Sequence, residues 1–554
     1  VHIYVYFIYL IKNIFILQYI LEDKEINVFH KKEGNMEMNK PNILHIFVDQ
    51  QRFDTIGALN NPIIKTPNIN RLVKTGVAFT NAYAPSPVCV AARCSMIHGQ
   101  YPANTGCFEN DLMPLDNRQT LMDVLTKGGY RTHGIGKCHF TPDALALKGF
   151  QTREVQEELG VESVENYPYM EYLQEKGYKH LCEPNGVRGE MYYIPQPSQL
   201  PPEDHPSQWI GDRTVDFIKE NGDNNEPWYL FSSFIHPHPP FAPPNPWHKL
   251  YRPSQMPLPN IPDEFESLHT FVNKCQNRYK YRDNGFDKNL IRTMKAYYYA
   301  CISFVDYQIG RILDELEKTG NKNNTMIIFT ADHGEHLGDY RCVGKRSMHD
   351  SCARIPLIIK QPGKFDGGVI CEEAASLVDL APTILGAAEL KMETHNMDGV
   401  DLYSLIKGDI TRKYVFGQLN YNGMDFIDAD ADFENYVTNK ECKRAAFSTY
   451  MAANSDWKYF YSAPDNREFL FNKKYDPKET RNVVSNPFYK EELKNIKSSL
   501  INHLKECGET FGIEGSDWKA HKLPPFTKDP DRGLLIQDGY TPWVDTYIPG
   551  YTDL

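Results

Sequence analysis

Four short apolar runs along this 554-residue chain end in side chains that can bind a metal or move a proton. Asp49 and Gln50 follow Ile43–Val48, and Lys137 and His139 follow Thr132–Ile135 across Gly136. His236 and His238 follow Tyr229–Ile235, and Asp332 and His333 follow Met326–Phe329. One Asp or His after a strand is more often a turn or cap residue than a ligand. Four such coincidences point to one site, because ligands of open α/β sheets bind at the carboxyl ends of the strands.

Asp49, Gln50, Asp332 and His333 offer three oxygen ligands and one nitrogen. Two carboxylates converge only where a cation or a proton offsets their repulsion, so the set predicts a divalent metal. Oxygen-rich ligation favours calcium or magnesium, and the imidazole also admits manganese or zinc. The segment Pro87–Pro102 carries a different chemistry. Cys89 stands four residues before Arg93 at an expected helix start, where a thiol can have a lowered pKa. Read locally, Cys89 is equally a small buried apolar residue. Lys137 and Lys345, taken singly, read as solvated surface lysines.

The elements that would hold these groups alternate between short apolar runs and helical segments from Pro41 onward, which predicts an α/β fold. Ile355–Ile359 adds a fifth core strand. Thr66-Pro67 opens a helix with Thr as N-cap, and Gly76 ends it. A longer helix spans about Lys288–Lys318, and Ser376–Ala388 reads as another that Pro382 kinks or restarts. The proline-rich stretch 236–262 is an ordered loop of the kind that lines a site. A composition shift near 410–440 marks the passage to a smaller domain, with strands at Trp457–Ser462 and Phe469–Phe471 and a helix at about Phe488–Glu506. The expected divisions are 36–410, 411–510, and an extended arm over 511–554 packed on the body.

Composition limits the partners. Apolar residues make up 41% and charged residues 24%, as in an ordinary globular protein. A net charge of −12 repels polyanions, so nucleic acid is not an expected partner, and an anionic substrate needs a local cationic cluster. The 12 cysteines include no C-x-x-C pair, which predicts buried free thiols in a reducing compartment rather than a zinc site or a disulfide framework.

Val1–Ile20 is apolar, but Lys12 and Asn13 interrupt it and no small-residue cleavage site follows. Lys32-Glu33-Gly34 is encoded by a purine run that suits a bacterial ribosome-binding site just before Met36 and Met38. Residues 1–35 are therefore read as upstream sequence, with translation starting at Met36 or Met38 and a cytoplasmic product. A genuine 1–35 would instead make a membrane anchor or an export segment.

Cys89-Val90-Ala91-Ala92-Arg93 resembles the C-x-(P/A)-x-R signature of the type I sulfatases, whose cysteine is oxidised to formylglycine (3-oxoalanine). The resemblance runs over about 41–510. It includes Val48-Asp49-Gln50-Gln51-Arg52, Gly136-Lys137-Cys138-His139, Pro237-His238-Pro239-Pro240, Ala331-Asp332-His333-Gly334, Gly344-Lys345 and Asp476-Pro477-Lys478-Glu479-Thr480. It implies an alkaline-phosphatase-like mixed sheet flanked by helices, with a C-terminal α+β subdomain built on an antiparallel sheet. It also implies a divalent metal, most simply calcium, held by Asp49, Gln50, Asp332, His333 and residue 89.

In that scheme the hydrate of residue 89 attacks sulfur and Lys137 and Lys345 attract the sulfuryl oxygens. His238 protonates the departing alcohol, with His236 as the alternative, His139 takes the proton that expels sulfate, and Arg93 positions the diol. The implied partners are a small sulfated substrate and a formylglycine-generating or anaerobic sulfatase-maturating enzyme. Oligomeric state is not legible. Ala91, Ala92 and His98 depart from the usual proline, serine and threonine, and Ala91 suits the anaerobic system better. The competing expectations are a phosphonate monoester or phosphodiester hydrolase of the same superfamily and a non-catalytic binding protein.

Overall fold

The computed structural model describes residues 40–158, 167–188, 191–222, 226–279, 287–521 and 523–527, and from Pro41 onward the chain forms one compact unit. The readings made for 1–35 and for the end of the arm lie outside the described residues. The strands of the large sheet are β1 (Asn42–Val48), β2 (Val77–Tyr83), β3 (Arg131–Gly136), β4 (Thr152–Val155), β5 (Trp228–Phe234), β6 (Thr325–Ala331), β7 (Arg354–Ile355), β8 (Leu357–Lys360) and β9 (Val369–Ser376). Their order is β4-β3-β5-β1-β6-β8-β2-β7, with β9 paired to β2. From β4 to β6 all neighbours are parallel, and β8 runs antiparallel to both β6 and β2.

Central β1 is buried along its whole length because helices cover both faces, as a parallel sheet requires. Its side chains alternate between two cores. Ile43 and Phe47 join the side packed by α2 (Cys89–His98), while Leu44, Ile46 and Val48 join the side packed by α1 (Pro67–Thr75), α3 (Pro206–Glu220) and α4 (Lys288–Lys318). Asp287 caps α4 by accepting the Leu290 N–H at 2.7 Å.

Three local expectations change. Thr66 precedes α1, but its hydroxyl is engaged with Gly57 and Asn70. The N–H groups of Asn68 and Ile69 are capped instead by Asp306 of α4, at 2.7 Å for Ile69, which a local sequence window cannot show. The strand expected at Ile355–Ile359 is broken at Pro356, which has no N–H for the ladder, into β7 and β8 on one side of β2. Ser376 ends β9 and also caps the helix expected there, its N–H donating to Asp379 Oδ2 at 2.7 Å. That helix, however, begins as a 3-10 turn (Leu377–Asp379) that runs into α5 (Leu380–Ala387), with Pro382 in the first turn of α5, where a missing N–H costs little.

Strands β10 (Val415–Asn420), β11 (Ser448–Ala453), β12 (Trp457–Ser462) and β13 (Arg467–Asn472) form an antiparallel sheet. Tyr450, Tyr459 and Leu470 face α6 (Lys490–Glu506), while Met451, Phe460 and Phe469 enter the main core. The small sheet is thus buried on both sides. Among the described residues no helix is long and apolar enough to cross a membrane.

Candidate active site

Asp49 and Lys137 leave from rigid strand ends: the Asp49 N–H donates to Phe234 O at 2.9 Å and the Lys137 N–H to Ser233 O at 3.2 Å. Gly136 makes the turn into Lys137 with φ +86°, and a Cβ there would lie 2.1 Å from the Ser233 carbonyl oxygen. Gly334 is required by space alone, since its Cβ would stand 2.1 Å from Ser351 O. Gln50 holds φ +64° without being glycine, a conformation that costs about 1–3 kcal/mol. Two contacts fix it: its N–H donates to Asp332 Oδ1 at 3.0 Å, and Tyr298 donates to its carbonyl at 2.7 Å.

Cys89 is the first residue of α2, and Asn110 Oδ1 accepts the Val90 N–H beside it at 3.0 Å. Arg93, one turn further, points the same way. Its guanidinium donates to Asp332 Oδ2 at 3.1 Å, Asp49 Oδ2 at 3.0 Å, Lys137 O at 2.6 Å and Ser233 Oγ at 3.1 Å. Arg93 therefore acts on the site by locking the two carboxylates.

Around the Cys89 sulfur stand Lys345 Nζ at 2.8 Å, His333 Nε2 at 3.3 Å, Asp49 Oδ1 at 3.8 Å and Lys137 Nζ at 3.9 Å. Burial and the Asp49 carboxylate push the thiol up, but Lys137, Lys345 and His333 together carry it well below its ordinary range. Burial likewise works against the Lys137 ammonium, yet Asp49 and Glu158, each 2.7 Å from it, hold it charged.

Ligand atoms of Asp49, Cys89, Asp332 and His333 lie within 4.8 Å of one another, all on buried residues. Opposite oxygens around a calcium ion stand roughly 4.6–5.2 Å apart, so the spacing suits a bound cation. Gln50 donates its amide N–H to Glu335 and keeps a buried side-chain oxygen with no hydrogen-bond partner, the kind of atom a cation satisfies. All five residues read from the sequence as metal ligands thus converge on one point or beside it.

The outer groups divide. His238 Nε2 is 3.3 Å from Glu158 Oε1, and His139 lies with Cys89 and Glu158 in a second cluster whose atoms lie within 4.8 Å. Burial holds His238 down to about 4 although Glu158 pulls it upward, which favours the neutral ring. His236 packs on the His205 ring at 4.8 Å, with neither of its own ring nitrogens bonded. His98 sits at the other end of α2, bonded to the Gln119 carbonyl at 3.0 Å.

Two residues of the site were not read from the sequence. Glu335, three beyond Asp332, receives the Gln50 amide on one oxygen and the N–H groups of Leu337 and Gly344 on the other, tying the metal ligands to the Lys345 segment. Its closeness to the Asp332-His333 pair was a usable signal. Glu158 is gripped by Lys137, His238 and Arg188, the last at 3.0 Å. It lies in a stretch without periodicity and carried no signal.

The family profile described as Sulfatase matches residues 41–390, and one described as N-sulphoglucosamine sulphohydrolase, C-terminal, matches 338–506. An arylsulfatase of Clostridium perfringens is 28% identical over 499 residues, covering 85% of this chain and 96% of its own. A choline-sulfatase of Rhizobium meliloti is 28% identical, covering 82% and 84%. Among solved structures, the phosphonate monoester hydrolase of Agrobacterium radiobacter superposes with a TM-score of 0.71 at 24% identity, covering 84% and 96%, which shows a common fold. With the profile spanning more than half of its length, the chain belongs to the sulfatase family of the alkaline-phosphatase-like superfamily and is a sulfuric ester hydrolase.

Proposed function

We propose that this sulfatase hydrolyses a small carbohydrate or aryl sulfate with a nucleophile made from Cys89. The observation that carries the reading is the convergence of Lys345, Lys137, His333 and Asp49 on one sulfur at a helix start. When present, formylglycine at position 89 supplies a hydrated-aldehyde oxygen, and a divalent ion on Asp49, Gln50, Asp332 and His333, most simply calcium, supplies Lewis-acid charge. The maturating partner is expected to be the anaerobic radical type, because Ala91 stands where proline is commoner.

The chain's own groups have separable tasks. Lys345 and Lys137 attract the nonbridging sulfuryl oxygens, where charge gathers in the transition state. Arg93 keeps Asp49 and Asp332 in place. His238 carries the proton for the departing oxygen; a bound anionic ester raises its affinity for that proton above the low value that burial sets. His139, on the same side of the site, receives the proton released at residue 89 when sulfate leaves.

Replacing Cys89 with Ala should leave the melting temperature within a few degrees and lower kcat/KM on an aryl sulfate by at least about 10³-fold. Retained activity would overturn the assignment. A second reading, cleavage of phosphonate monoesters or phosphodiesters, is favoured by a 29% identical relative from Trinickia caryophylli described as a multifunctional alkaline phosphatase superfamily protein. Relative kcat/KM on an aryl sulfate, a phosphonate monoester, a phosphodiester and sulfated sugars separates the two.

A further inference from the structure

Glu335 is wholly buried, and its backbone is fixed on both sides. Its N–H donates to Ser351 O at 2.8 Å, and Arg52 donates to its carbonyl oxygen at 2.7 Å. One carboxylate oxygen accepts the Leu337 N–H at 3.0 Å and the Gly344 N–H, and the other accepts the Gln50 side-chain N–H. An ionised carboxylate only accepts hydrogen bonds. Gln50 must therefore turn its NH2 toward Glu335, which leaves its side-chain oxygen on the other branch of the amide, buried and without a hydrogen-bond partner. Half a turn of the amide would set that oxygen against the carboxylate and offer N–H donors where the oxygen is now offered. The anchors on Gln50 from Asp332 and Tyr298 end on its backbone and do not choose between the two orientations.

We infer that Glu335 is a positioning residue that makes Gln50 an oxygen ligand for a cation. The inference rests on the reading of Asp49, Gln50, Asp332 and His333 as one metal site. A buried acceptor left without a donor costs stability, and a cation removes that cost. The N–H contact to the carboxylate also polarises the amide, so that its oxygen carries more negative charge. Glu335→Gln keeps the shape of the side chain but breaks this pattern. The new oxygen would stay on the Leu337 and Gly344 N–H groups, the new NH2 would meet Gln50, and the Gln50 amide would turn round. In the exchanged pair, Gln50→Glu with Glu335→Gln, every donor again meets an acceptor, and a carboxylate oxygen takes the place of the amide oxygen.

Calorimetric titration of the full chain, freed of metal by chelation, tests this with the chlorides of calcium, magnesium, manganese and zinc. For the ion that the parent binds tightest, Glu335→Gln should raise Kd about 10–100-fold. The exchanged pair should bring Kd back to within about threefold of the parent or below it. In a Gln50→Ala background, Glu335→Gln should change Kd by less than about twofold, because the amide it orients is gone. Loss of the Glu335 charge alone would weaken binding in both backgrounds equally. Metal-free Glu335→Gln should melt within a few degrees of the metal-free parent, since the replacement keeps the Leu337 and Gly344 N–H groups bonded. The exchanged pair should fold and bind whether or not the single variant does. A parent that binds none of the four ions would remove the metal reading itself. A parent that binds, with an equal Kd in folded Glu335→Gln, an equal loss in the Gln50→Ala background or no binding by the exchanged pair, would overturn this inference alone.

Discussion

Two of the buried ionic clusters among the described residues use their cations differently. At the junction with the C-terminal sheet, Lys458 pairs with Asp350 at 2.7 Å and with Glu479, and Lys473 donates to Asn81 at 2.6 Å. There the donors end on acceptors across two elements, and the cluster fastens β12 and β13 to the body. At the strand ends, Arg93 and Lys137 also meet carboxylates, but Lys345 ends on the sulfur of Cys89. Burial alone therefore does not mark a catalytic site. A cation aimed at a nucleophile does, and the two clusters should respond oppositely to mutation.

The largest expected contrast comes from the lysines. Lys345→Ala should lower kcat/KM by about 10²–10³-fold, the effect of removing one donor to developing charge, while urea unfolding moves little. Lys458→Met should do the reverse. It leaves Glu479 without its lysine and Asp350 with only Arg354 and Tyr83, each at 3.2 Å, and should cost about 3–5 kcal/mol of stability, with kcat/KM of the folded fraction retained. Equal loss of activity in both variants would erase the distinction.

A broader effect follows from histidines outside both clusters. Burial holds His45 and His336 down to about 3 and His98 and His503 to about 4. Their folded values lie below the unfolded one, so the unfolded chain binds more protons as pH falls below about 6.5. Stability present above that pH should decline toward pH 4, by up to about 1.4 kcal/mol per pH unit for each histidine. Urea midpoints across pH 7 to 4.5 would show it, and a flat profile would contradict the burial. The smallest effect is expected at Glu158. Its carboxylate competes with an incoming anion for Lys137 and His238, so Glu158→Gln should lower KM for a sulfate ester by about 2- to 10-fold, an energy of about 1 kcal/mol. A raised KM would give Glu158 a supporting role instead.

The site was more legible in the sequence than the packing around it. Asp49, Gln50, Lys137, Asp332 and His333 could be placed because each follows a β-strand whose apolar run is plain, and parallel strands carry their ligands to one edge. The cap of α1 was not legible, because Asp306 reaches it from 238 residues away along the chain. Strand β2 was missed because Val77–Tyr83 mixes Thr and Asn into its apolar run, and its pairing with β7, β8 and β9 is set by tertiary contacts. Arg93 was read as positioning residue 89, and its further reach to Asp49, Asp332, Lys137 and Ser233 was not legible because it depends on how α2 meets the sheet.

Tandem mass spectrometry of the peptide containing residue 89, taken from fully active enzyme, tests the central claim most directly. The account predicts a residue lighter than cysteine by about 18 Da, sulfur and two hydrogens having given way to one oxygen, with specific activity rising in proportion to the converted fraction. Full activity from material that carries only unmodified cysteine would contradict it.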